Sequence, residues 1–145
     1  MAYCYGGVWG GESNRKIFIL QKRVIRVTAG VNSRTSCRQL FKELNILTLS
    51  SLYILEMTCF LKRYCQSLEL NATVHKHNTR RKMDIHIKSH RTNLYENSVI
   101  NMGSLIYNKL PNHLKEIDSF KDFKRKLKLF LLSHTFYSVE EFLSS

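Results

Sequence analysis

The stretch from Thr48 to Tyr64, TLSSLYILEMTCFLKRY, decides the fold. On a helical turn Leu52, Leu55, Cys59 and Lys62 fall on one side, and Tyr53, Met57, Phe60 and Tyr64 fall on another. The pattern predicts a helix that begins near Thr48 or Ser50 and extends to about Leu68. Apolar residues around so much of the circumference place it at the centre of a core, or beneath a partner outside this chain. With the other helices short, its second apolar side is expected to stay uncovered, leaving the chain poorly stable alone and open to self-association. Leu44–Leu61 is also the most membrane-like part of the sequence. Asn45, Thr48, Ser50, Ser51, Glu56 and Thr58 make it too polar for a spanning helix of about 20 apolar residues.

Upstream, a helix is expected from about Glu12 or Ser13 to Ala29. Ile17, Leu20, Val24 and Val27 recur at i, i+3, i+7 and i+10 and form its predicted core stripe, and Gly30 fits its stop. Ser36 with Gln39 makes a capping-box pattern for a short helix ending near Asn45, with Leu40, Phe41 and Leu44 inward. Downstream, helical periodicity fails from Asn71 to Asn97. This reads as a long exposed basic loop, with extended backbone at Met83–Ile87. Helix resumes over Ser98–Leu110, bearing Ile106, Tyr107 and Leu110, and stops at Pro111. Ser119 with Asp122 opens a helix over 120–133 whose stripe is Phe120, Phe123, Leu127, Phe130 and Leu131. Ser138-Val-Glu-Glu adds a last turn.

One proline and six glycines in 145 residues are too few for a turn-rich β-sandwich. The expected fold is all-α: one irregular bundle of about four to five helices with a long basic loop. Residues 1–11 form an irregular segment, 12–70 a helical region, 71–97 the loop and 98–145 a second helical region. Four scattered cysteines without a CxxC suit a reducing, intracellular compartment, and the N-terminus lacks a secretory signal pattern. No membrane association is expected.

The 23 Lys and Arg outnumber the 11 Asp and Glu, for a net charge of +12. Residues 75–91 concentrate the excess, with six basic side chains, one acidic, and four of the six histidines. Such a field attracts polyanions. The candidate phosphate contacts are Lys76, Arg80, Arg81, Lys82, Lys88 and Arg91, extended along the first helix by Lys22, Arg23 and Arg26. Tyr64 and Tyr95 are candidates for base stacking. No base-reading motif is present.

Catalytic patterns are missing. His75, His77, His86 and His90 are interleaved with cations, which disfavours a metal dication. The three aspartates, Asp84, Asp118 and Asp122, include no adjacent pair to hold two metals for nucleotidyl transfer. There is no GxSxG, Walker A or GxGxxG pattern. The chain alone reads as a non-enzyme without a cofactor. On residues alone it reads as a small helical nucleic-acid-binding module, or as a structural, partner-binding helical protein.

A longer pattern covers nearly the whole chain. Tyr5-Gly-Gly-Val-Trp9-Gly is followed by KIFILQKRVIR at Lys16–Arg26, SCRQLFKELNILTLSSLYI at Ser36–Ile54 and HKHNTR at His75–Arg80. LIYNKLP at Leu105–Pro111 and SFKDFKRKLKLFLL at Ser119–Leu132 complete it. In this order and spacing the blocks resemble the C-terminal end of reverse transcriptases encoded by non-LTR retrotransposons of the jockey type, with Ile106 where that family's block has leucine. The resemblance implies a helical thumb or post-thumb element that contacts template–primer backbone and braces fingers and palm. In that family the metal-binding aspartates lie upstream of these blocks. The resemblance thus implies a non-catalytic fragment of an RNA-directed DNA polymerase, whose partners would be RNA or DNA backbone and a missing palm and fingers.

Overall fold

The computed structural model describes residues 12–64, 68–74, 81–82, 84–89, 95 and 98–145. Among them are eight helices, no strand, and a single isolated antiparallel bridge, Leu70 to Ile85. The helices are α1 (Glu12–Thr28), α2 (Cys37–Glu43), α3 (Leu49–Tyr64), α4 (Asn71–Val74), α5 (Val99–Lys109), α6 (Asn112–Lys115), α7 (Phe120–His134) and α8 (Val139–Ser144). The all-α expectation holds, with α4 and α6 as short additions. No helix among the described residues is long and apolar enough to cross a membrane.

The polar residues around α3 explain its seat. Thr48 is buried; its hydroxyl accepts the Ser51 N–H at 3.1 Å and donates to the Phe136 carbonyl. Ser50 donates to the Tyr137 carbonyl at 2.9 Å. These bonds tie the start of α3 to the α7–α8 connection. The helix then packs most extensively on α5 and α7 and also touches α1 and α8. Tyr53, Leu55, Met57, Cys59 and Leu61 are all buried. The expected uncovered side of α3 is therefore covered from within the chain; among its described side chains only Leu52, Glu56 and Arg63 are exposed. The described helix runs to Tyr64; Leu68 is not helical, and residues 65–67 lie outside the described set.

Gly103 shows how closely α3 and α5 approach. A Cβ there would sit 2.8 Å from Leu61 Cδ1 and 3.6 Å from Met57 Cε, so a side chain would force the helices apart or push Leu61 off its rotamer. On α7, Phe123, Leu127 and Leu131 have no exposed surface, as their spacing predicts. Ser98, Ser119 and Ser138 each accept the N–H three residues on, which caps α5, α7 and α8. Ser36 stands at the N-cap of α2 without making its side-chain bond.

The first helix departs from expectation. Ile17, Leu20, Val24 and Val27 are 49, 56, 63 and 80% exposed, while Ile25 is 2% exposed. The inward face is Phe18, Gln21 and Ile25, also spaced i, i+3, i+7. Phe18 packs between Phe41 (centroids 6.4 Å apart) and Tyr137 (5.0 Å, edge-on). The Gln21 amide donates to the Leu47 carbonyl at 2.9 Å and accepts the Leu49 N–H at 3.0 Å. Aromatic packing and two hydrogen bonds to the start of α3 outweigh the burial that the aliphatic stripe would have gained. Ile25, Cys37, Leu40 and Phe41 form a satellite core beside the main one. Gly30 (φ 64°) ends α1 with paired bonds, its own N–H to Val27 O and that of Val31 to Arg26 O, both 3.1 Å.

Candidate nucleic-acid interface

Within 71–97, the described residues 71–74, 81–82 and 84–86 are tied down by more hydrogen bonds than the sequence pattern suggests. Around the Leu70–Ile85 bridge, the Asn71 N–H donates to Asp84 O at 2.9 Å and the His86 N–H to Glu69 O at 2.8 Å. Ile85 is buried in the main core. The Asn108 side chain, on α5, accepts the Ile85 N–H at 2.8 Å and donates to the Ile85 carbonyl at 2.9 Å. One amide thus satisfies both backbone groups of Ile85 and fastens the bridged segment to α5.

Lys115 completes the attachment. Its ammonium donates to Asp84 at 2.9 Å and to the Asn108 carbonyl at 2.7 Å. The two charged side chains are only 11 and 14% exposed. Removing one partner would leave a nearly buried charge without its counter-ion, at a cost of about 3–5 kcal/mol. Asp84, the one acid of residues 75–91, is thereby neutralised within the fold.

A cleft of about 410 Å³ opens beside this knot, with Ile85, Ile87 and Leu105 among its lining and Arg81, His86 and Lys109 around it. Neither Arg81 nor Lys109 has an acidic partner among the described residues. The backbone of 81–82 is held: Arg81 O accepts from the Asn71 side chain at 3.0 Å and Lys82 O from the Ala72 N–H at 3.0 Å. His86 Nδ1 lies 3.3 Å from Asn71 Oδ1. The cleft brings the Arg81 and Lys109 cations together with apolar side chains, a lining that suits a phosphate with a base or sugar beside it. A second cavity, of about 260 Å³, has Arg15 and Glu140 on its rim, and their opposite signs give it no preference for an anion.

The remaining expected contacts are dispersed. Lys82 is exposed next to Arg81. Lys88 is exposed and 3.6 Å from Glu69. On α1 the three cations do not form one patch. Lys22 lies over the Phe18 ring at 4.7 Å and the Tyr137 ring at 5.7 Å. Arg26 donates through Nε to the Thr35 carbonyl at 2.8 Å, while Arg23 faces solvent. Lys76, Arg80, Arg91, the histidines at 75, 77 and 90, and the Tyr64 side chain lie outside the described residues; Tyr95 is half-buried. Sequence reading passes over Lys109, because the LIYNKLP block presents itself as an apolar helix end and nothing local says that its lysine lines the same cleft as Arg81.

Among the described residues no group of three His, Cys, Asp or Glu converges on a point where a metal could sit. Burial pushes the Cys59 thiol up to about 11, against opposing help from Lys124 and Arg63. It is a core thiol and not a thiolate at neutral pH. Comparison with protein-family models, curated proteins and solved structures gave no match. Fold, site geometry and the residue pattern carry the functional reading.

Proposed function

We propose that this chain contacts nucleic-acid backbone without sequence preference, as the post-palm, thumb-like region of a non-LTR retrotransposon reverse transcriptase, and that it has no polymerase activity by itself. The observation that carries the reading is the cleft at Arg81 and Lys109, whose one acidic side chain is already taken by Lys115. An all-α build and the ordered sequence blocks support the family assignment. The exposed Ile17, Leu20, Val24 and Val27 support the bracing role, because palm or fingers residues would cover such a stripe. That stripe also favours the second reading, a helical protein that binds another protein and uses its cations only for solubility.

Salt-dependent binding separates the two. Replacing Arg81, Lys82 and Lys109 with alanine should make log affinity fall less steeply with log salt, by about 2–3 units if each meets one phosphate. An unchanged slope removes the cleft from the interface, and no binding at all leaves the protein-binding reading. Primer extension on an RNA template with magnesium should not exceed a protein-free control; extension above it refutes the non-catalytic assignment. A coding sequence upstream of Met1 that carries a palm with paired aspartates would favour the retroelement origin over an unrelated module.

A further inference from the structure

A second cationic surface lies on α7, which contributes no residue to the cleft. Lys121, Arg125 and Lys128 recur at i, i+4 and i+7 and all are exposed, as is Lys124 beside them. Phe123, Leu127 and Leu131 are fully buried, so the core fixes the rotational setting of α7 and leaves these cations outward; the stripe ends at Lys128, since Leu132, next on the same line, is buried. From Lys121 to Lys128 the helix rises about 10.5 Å at 1.5 Å per residue. That matches about three steps of a nucleic-acid strand at 3.4 Å each.

The neighbouring acids do little to cancel this field. Asp122 reaches Arg125 at 3.1 Å and Glu56 reaches Lys124 at 3.6 Å, and all four side chains are about half exposed or more. Exposed pairs of this kind are weak and exchange readily for a stronger anion. Lys121 and Lys128 have no acidic partner among the described residues. At the N-terminal end of the stripe the Arg63 guanidinium lies 4.4 Å over the Phe120 ring, which holds it in place before any ligand arrives.

Among the described side chains the stripe offers no aromatic face to a base. Phe120 lies under Arg63 and Phe123 is buried. Surfaces that hold single strands combine cations with open aromatic platforms; this one has cations alone. We infer that the Lys121–Arg125–Lys128 face of α7, extended by Arg63, follows the phosphate backbone of a nucleic-acid duplex. The inference rests on the nucleic-acid reading above and adds to it a second place of contact and a preference for duplex over single strand.

The test uses the full chain and fluorescence anisotropy with mixed-sequence duplexes from about 50 to 200 mM salt. Lys121→Gln/Arg125→Gln/Lys128→Gln should make the salt slope shallower by about 2–3 units. Lys126→Gln, on the other side of the same helix, should leave it unchanged. The single change Lys128→Gln should take off about 0.9 on B-DNA, which keeps the test open if the triple variant unfolds. If the unaltered chain binds with a slope that only the cleft variant reduces, the α7 surface is overturned and the cleft reading stands. If the unaltered chain does not bind, both fall. Anionic vesicles bound with the same dependence on the stripe would overturn the assignment to nucleic acid, as would a single strand bound equally tightly through it.

Discussion

Thr135 is the least comfortable residue in the fold. It ends α7 at φ 52°, ψ 58°, a left-handed conformation that a β-branched side chain adopts only under constraint. The residue is 1% exposed, and its hydroxyl has no hydrogen-bond partner among the described residues. Its carbonyl is 3.5 Å from the Arg38 guanidinium, so the constraint comes from the joint between α2 and the α7–α8 connection. Thr135→Gly removes both the strain and the buried hydroxyl and gives back part of the gain in chain entropy. Urea unfolding should show a net stabilisation of about 1 kcal/mol; a loss would mean that the methyl group packs better than its geometry suggests. The same joint is sensitive to acid. Burial alone would raise the Glu141 carboxyl, but the Tyr137 N–H at 2.7 Å, the Arg38 guanidinium at 2.8 Å and the Ser138 N–H outweigh it and hold it below its ordinary value. Its contribution is then fully present above the unfolded carboxyl value of about 4.3 and is lost as pH falls through the lower folded one. Glu141→Gln should therefore lose less stability between pH 6 and pH 3 than the unaltered chain. Equal losses would place the acid sensitivity elsewhere.

At the scale of elements, α3 and α7 could be read from sequence and the orientation of α1 could not. The residues of α7 that repeat at helical spacing are all apolar on one side and mostly basic on the others, so only one face can be buried. On α1 two stripes compete: Ile17, Leu20, Val24 and Val27 against Phe18, Gln21 and Ile25. Periodicity favours the longer aliphatic one. The fold uses the other, because Gln21 finds both of its partners at the start of α3 and Phe18 enters an aromatic group with Phe41 and Tyr137. A polar residue on a core face gives no apolar signal, and its partners lie 26 and 28 residues away. The site divides in the same way. The charge of residues 75–91 was evident, but the capture of Asp84 by Lys115 and the arrival of Lys109 depend on contacts across the bundle. Lys22 and Arg26 carry the right charge in the right sequence block, yet they turn toward α2 and its neighbours. The inverted face makes a paired prediction. Ile25→Ala should cost about 2–4 kcal/mol, whereas Leu20→Glu with Val24→Glu should change stability by about 0.5 kcal/mol or less per site. The reverse ranking in chemical denaturation would restore the aliphatic stripe to the core.

For the molecule as a whole, α3 organises a main core shared with α5, α7 and α8, and α1 with α2 adds a smaller one beside it. This frame carries a net charge of +12, but few of its cations are equivalent. Some are taken up by the fold: Lys115 by Asp84, Lys22 by aromatic rings, Arg38 by Glu141. Others, at Arg81 and Lys109 and along α7, stay open to solvent while their backbones are held. A polyanion should find these second groups, since there the cost of ordering the site has largely been met by folding. The apolar stripe on α1 belongs to a different kind of contact, and nucleic acid should leave it alone. A residue-resolved titration tests this division most directly: amide chemical shifts of the isotope-labelled chain recorded as an RNA–DNA hybrid duplex is added at low salt. The largest changes are expected at residues 81–88, at Asn108 and Lys109, and along Lys121–Lys128, reversed by added salt, with Ile17–Val27 unmoved. Changes centred on α1, or none anywhere, would contradict this division.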